Sequence, residues 1–231
     1  MSAATASAAA RAVALPGNVR DGLPSVVGDC PEFLVASVRR AVRAGGGWQQ
    51  VADRVAGVLR QRVPAPSLLT DEQLAGDPAG YQVHLLHAEP DGSFSITVMV
   101  WLPGQQTPVH DHLAWCVTAV MQGTEYEEIF ALASGAGGLE VIARNENPAG
   151  TVSAFAPPGD IHRVRNTGAG TAVSMHVYGT DISRVGSSVR REYAVLSPAR
   201  PHQNPPKHTE ARPRAPLAGG LLHVRLLPSV R

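Results

Sequence analysis

Two kinds of hydrophobic spacing divide the chain. Between residues 29 and 64 apolar side chains recur at helical intervals, first Phe33, Leu34, Val38 and Val42, then Trp48, Val51, Val55, Val58 and Leu59. Gly45-Gly46-Gly47 separates the runs and Pro64 ends the second, while Asp29 is a candidate cap and Pro31 suits a first helical turn. Thr70-Asp71-Glu72-Gln73-Leu74 opens like a capped helix and predicts a short third one. From residue 81 the period becomes two. Predicted strands cover residues 81–87, 93–101, 115–121, 125–132, 139–144, 151–155 and 171–178, and Glu89-Pro90-Asp91-Gly92 turns the first into the second. Short strands at this spacing predict an all-β barrel, with the helices packed outside it through their apolar stripes.

Length and composition narrow this to one domain. The 231 residues (24.2 kDa) can bury a substantial core, and the ordered part is expected over 29–197, with its helices in 29–78. Residues 1–28 start Ala/Ser-rich without a basic segment or a long apolar run, so a flexible terminus is expected there and not a signal peptide. Residues 198–231 hold many prolines, several arginines and the single acid Glu210, and predict a mostly disordered tail whose one apolar run lies around Leu221. A net charge of +1 gives no reason to expect nucleic acid or a membrane surface, and no run approaches the roughly 20 apolar residues of a membrane span. Cys30 and Cys116 lie in unlike contexts, which predicts a reduced, cytoplasmic protein. Its oligomeric state is left between a monomer and a small homo-oligomer.

The chemistry gathers in two stretches. His110 and His112 are one residue apart, so on a strand both imidazoles leave the same face and can reach one metal ion; His162 follows a Pro/Gly turn further on. The pattern Gly104-x5-His110-x-His112-x3-Cys116-x6-Gly123 resembles the first cupin motif with its usual glutamate replaced by Cys116. Pro157-x-Gly159-x2-His162-x3-Asn166 resembles the second, with Gly150 one residue further upstream than the pattern expects. The resemblance implies a cupin double-stranded β-helix, or jelly-roll barrel, holding a metal. Three neutral imidazoles without a carboxylate leave the charge of a dication uncompensated and favour an anionic ligand such as a thiolate. Open positions beside them suit non-haem Fe(II) chemistry, though zinc also takes three histidines.

Ser174, His176 and Tyr178 alternate along residues 171–178 and so share one strand face, where they are expensive to bury unless hydrogen-bonded to one another. Together with His110-x-His112 and Gly159-Asp160-Ile161-His162-Arg163-Val164, they resemble the cysteine dioxygenase family of thiol dioxygenases over roughly residues 81–191. The resemblance implies a mononuclear Fe(II) enzyme that adds both atoms of O2 to a small thiol. It makes His110, His112 and His162 the metal ligands and Tyr178 the active-site phenol, oriented by His176 and Ser174. Animal members crosslink a cysteine near the position of Cys116 to this tyrosine, which makes a Cys116–Tyr178 thioether a candidate beside a plain buried thiol. Members that use cysteine carry an arginine, and those that use 3-mercaptopropionate a glutamine, where this chain has Val83. Valine cannot donate a hydrogen bond, so Arg163, Arg165, Arg190 and Arg191 become candidates for a substrate carboxylate. L-cysteine is the first expected substrate and 3-mercaptopropionate the second; a non-oxygenase metal cupin and a ligand-binding sensor are the readings from other classes.

Overall fold

A computed structural model describes residues 30–133, 138–196 and 222–226. The candidate cap Asp29, the expected flexible terminus and most of the expected tail lie outside the described residues. Helix α1 (Glu32–Arg43) begins with Pro31 in the N-cap position and no side-chain cap, and α2 (Trp48–Gln61) follows the Gly45-Gly46-Gly47 break. The short α3 (Asp71–Leu74) has the reciprocal cap that its sequence predicts: the Gln73 amide N–H donates to Thr70 Oγ1, and the Thr70 N–H to Gln73 Oε1 at 2.8 Å.

Two antiparallel sheets make up the rest. The first has the order β1 (Gln82–Ala88), β2 (Ser95–Trp101), β9 (Ala172–Tyr178), β4 (Cys116–Gln122), β7 (Val152–Phe155). The second closes on itself through β10 (Val189–Leu196), β11 (Leu222–Leu226), β6 (Gly138–Pro148), β5 (Thr124–Leu132), β8 (His162–Asn166) and β3 (Val109–His112). Apart from the hairpins β1–β2, β5–β6 and β10–β11, consecutive strands leave one sheet for the other, which is the jelly-roll connectivity of a cupin. All seven predicted strands are present. The strands that sequence periodicity passed over are polar: β3 reads Val-His-Asp-His, β8 His-Arg-Val-Arg-Asn, and β10 begins Val-Arg-Arg-Glu. Within the expected tail, the run beside Leu221 is strand β11, paired with β10 and β6.

The main apolar core lies outside the barrel. Ile96, Val98 and Val100 of β2, Val117 and Ala119 of β4, and Val173, Met175 and Val177 of β9 form one buried cluster with Leu34, Val38, Val55 and Leu59 of α1 and α2. The helices therefore cover the outer face of the first sheet, as their stripes predict. Two glycines permit the close approaches this packing needs. Gly123, between β4 and β5, has φ +75°, and a Cβ there would stand 3.0 Å from the Ala172 Cα. A Cβ on Gly179, at the end of β9, would lie 2.2 Å from the Trp115 indole nitrogen.

Candidate metal centre and active site

Strands β3 and β8 bring the three histidines together. His110 stands opposite His162 in the register of the two strands, and His112 follows on the same face. One nitrogen from each lies within 4.8 Å of the others, and all three side chains are buried. The remaining ring nitrogens are occupied by acceptors. His110 Nδ1–H donates to the Pro108 carbonyl (3.0 Å), His112 Nδ1–H to Asp160 Oδ2 (2.9 Å) and His162 Nδ1–H to Glu127 Oε1 (2.8 Å). Since these acceptors fix the tautomers, every Nε2 is left as a bare donor toward the common centre, and the residues fit a metal ion. Burial, together with the neighbouring imidazoles, holds His110 well below the usual histidine range and so neutral.

The carboxylates are what the sequence reading lacked. Burial opposes ionisation of Glu127, but the hydrogen bond and charge of His162, with help from Asn145, hold its carboxyl below the usual range. Asp160 is likewise held down against burial by His112, whose backbone N–H it also accepts at 3.0 Å. A bound dication therefore has two negative charges one hydrogen bond behind its ligands, rather than none. The signal for Asp160 lay in its motif, two residues before His162; Glu127 sits in Glu125-Tyr126-Glu127-Glu128, which carries no spacing that singles it out.

On the facing sheet the side chains of β9 form a chain of hydrogen bonds. The Trp101 indole N–H donates to Ser174 Oγ (3.1 Å), Ser174 Oγ lies 2.9 Å from His176 Nε2, and His176 Nδ1 lies 3.2 Å from the Tyr178 hydroxyl. Burial, then the charges of His112 and His162, push His176 down to about 3, so it is neutral. Burial pushes Tyr178 well above its ordinary value, partly offset by Ser188, and the phenol keeps its proton at neutral pH. Cys116 stands directly opposite Tyr178 between β4 and β9, both in one buried cluster, and burial also pushes its thiol well up.

A small cavity, about 40 Å³ in volume, opens beside these groups. Its polar wall is Tyr81, Thr107, Tyr178, Ser187, Ser188 and the metal-centre residue His110; Val83 and Met99 lie in its apolar wall. None of the arginine candidates lines it. Arg163 is bound to Glu128 on the outward side of β8, and Arg191 to Asp111, which also accepts from the Tyr193 hydroxyl. Arg165 lies over the Tyr126 ring, and Arg190 is exposed.

A buried three-histidine centre inside a cupin barrel, faced by a phenol, defines a class of cupins built to hold a metal ion. The chain belongs to the cysteine dioxygenase type I family, whose model matches residues 74–189, half of the chain. Solved structures it is similar to include peruvianin-I, described as a cysteine peptidase from Thevetia peruviana latex (19% identity over 51% of this chain and 78% of that one, TM-score 0.36). Others are the Cnp3 cupin domain of Schizosaccharomyces pombe (16%, 46% and 65%, TM-score 0.35) and a recombinant oxalate oxidase in complex with glycolate (20%, 52% and 63%, TM-score 0.37). The chain spans less than two thirds of the last two. No helix among the described residues is long and apolar enough to cross a membrane.

Proposed function

We propose that this protein is a mononuclear non-haem Fe(II) thiol dioxygenase that converts a small thiol and O2 into the corresponding sulfinic acid, RSH + O2 giving RSO2H. The observation that carries the reading is one cavity whose wall holds both His110 of the buried histidine trio and the protonated phenol of Tyr178. Iron, when bound by His110, His112 and His162, supplies the redox chemistry with O2 and the charge that lowers a thiol's pKa. Tyr178 is then a hydrogen-bond donor toward the reacting sulfur and oxygen atoms, held by His176 and Ser174 behind it. The apolar side of the cavity keeps water from the reacting atoms.

L-cysteine is the first substrate to test and 3-mercaptopropionate the second. The cavity wall carries hydroxyls and no guanidinium, and a carboxylate buried there would have no cationic partner among the described residues. A carboxylate is therefore not the handle by which this site selects its thiol. The same reading includes a Cys116–Tyr178 thioether, formed with loss of one hydrogen from each side chain to O2 as oxidant.

Anaerobically purified protein loaded with Fe(II) should consume O2 with a thiol and yield product heavier by two oxygen atoms. L-cysteine, 3-mercaptopropionate and the uncharged 2-mercaptoethanol should differ by no more than about tenfold in kcat/KM, the scale of one modest contact. The intact mass after turnover should fall by two hydrogens if the thioether forms. Stoichiometric zinc with no iron-dependent O2 uptake for any thiol would replace the oxygenase with a hydrolytic or isomerising metal cupin.

A further inference from the structure

The hydrogen-bonded row on β9 has a first member to which no role has been assigned. Trp101 ends β2 on the same face as Met99, which stands opposite Ser174, and its side chain is 0% exposed. Its backbone carbonyl is held by Asn166 of β8, whose side-chain amide donates to it (2.9 Å) and to the Gly170 carbonyl (2.8 Å). Its ring lies 4.5 Å from that of the cavity residue Tyr81. So held, the indole places its one polar atom 3.1 Å from Ser174 Oγ. A phenylalanine would fill most of the same space, so packing alone gives the N–H nothing to do.

Counting hydrogens fixes which way the row runs. Among the described residues Ser174 Oγ has two hydrogen-bond partners, the Trp101 indole and His176 Nε2. The indole N–H can only donate, so the serine oxygen accepts from it, and the serine's single hydrogen has His176 Nε2 as its acceptor. Were the imidazole to donate instead, two N–H groups would converge on one oxygen, and a buried hydroxyl hydrogen would be left without a partner. Donation from Trp101 also polarises the serine hydroxyl and strengthens the bond it makes onward. His176 is neutral, so an accepting Nε2 leaves its one proton on Nδ1, which donates to the Tyr178 oxygen at 3.2 Å.

We propose that Trp101 is a positioning residue that sets one direction, Trp101 to Ser174 to His176 to Tyr178, so that the phenol hydrogen is left for the cavity and Tyr178 meets the substrate as a donor. Its use in turnover rests on the thiol dioxygenase reading. Tyr178 already lines the cavity, and with its oxygen accepting from His176 its hydroxyl hydrogen is the only one in the row that no member of the row receives. An indole N–H releases no proton near neutral pH, so the row ends at Trp101. It orients the phenol without feeding it protons from behind.

The test has two arms. Nitrogen NMR of the full-length metal-free protein, with its nine histidines isotope-labelled and His176 assigned by its loss in His176→Gln, should show one tautomer, protonated at Nδ1 and bare at Nε2. A proton on Nε2 reverses the row and overturns the proposal. Trp101→Phe should leave the His176 ring exchanging between both tautomers, because Ser174 Oγ is then free to accept from Nε2. Ser174→Ala should shift the Trp101 indole N–H signal, and an indole signal that stays in place overturns the link even if Trp101→Phe fails to fold. In Fe(II)-loaded enzyme Trp101→Phe should lower kcat by about 2- to 10-fold, the scale of one hydrogen bond between neutral groups, with KM for the thiol within about twofold. The double variant should lose no more than about twofold beyond Ser174→Ala alone, since the indole acts only through the serine. Losses that multiply in the double variant, or a fall in kcat with the His176 tautomer unchanged, would make Trp101 a packing residue and overturn its role. Because the NMR arm needs neither metal nor thiol, a thiol screen without turnover beside a single Nδ1–H tautomer counts against the dioxygenase reading and leaves the direction of the row standing.

Discussion

The two faces of the first sheet are buried alike and built from opposite chemistry. On the outer face Ile96, Val98, Val100, Val117, Ala119, Val173, Met175 and Val177 are all 0% exposed, and they pack in one apolar cluster with the stripes of α1 and α2. On the inner face of the same strands Thr97, Ser174, His176 and Tyr178 are 5% exposed or less. Alternation along a strand ordinarily separates core from solvent. Here it separates packing from reaction, since neither face is wet. The outer face contributes stability through close contact, and the inner face forgoes much of that contact to keep polar groups in a directed hydrogen-bonded row.

Removing the phenol hydroxyl gives the comparison its sharpest trial. Tyr178→Phe should lower kcat by about 10²- to 10⁴-fold, the usual range for a positioned acid or base, while thermal unfolding shifts by no more than about 1 kcal/mol. Loss of stability with turnover intact would mean that the inner face is a core like the outer one. A loss confined to ligand affinity would favour a binding protein over an enzyme.

The converse change belongs on the neighbouring residue of the same strand. Met175 faces the helices between Ser174 and His176, and Met175→Ala should cost about 2–5 kcal/mol in urea unfolding, because the helices can close only part of the space left behind. The variant that remains folded should keep kcat within a few-fold of the parent, since the relay on the other face keeps its partners. A large drop in kcat at full folding would show that the two faces are not independent.

The sequence disclosed these faces unequally. The outer one announced itself through the apolar alternation of Val173, Met175 and Val177 and the helical stripe that covers it, because apolar periodicity reports directly on burial. His110, His112, His162 and the row at Ser174, His176 and Tyr178 were legible from motif spacing. The buried acids of β5, Glu127 behind His162 among them, were not: Glu125 and Glu127 alternate with Tyr126 like an ordinary solvated strand, yet both are buried. Strands β3 and β8 escaped periodicity for a related reason. Most of their buried positions are polar and are satisfied by partners far along the chain, such as Asn166, whose amide donates to the Trp101 carbonyl at 2.9 Å. Polar burial of that kind depends on tertiary partners that no local pattern encodes.

The arginines illustrate the same limit, and they supply the smallest effect. Counting along β8 makes Arg163 look like a reader of substrate charge because it follows His162, yet a strand turns neighbouring side chains to opposite faces. Arg163 points away from the cavity to Glu128, which also pairs with Arg144 at 3.5 Å. Arg163→Ala should therefore leave KM for every thiol within about twofold and change stability by about 0.2–1 kcal/mol, as for other partly exposed pairs with a second partner in place. A rise in KM specific to carboxylate-bearing thiols would place a cation in the cavity after all, and would return the inner face to a site that selects substrate by charge.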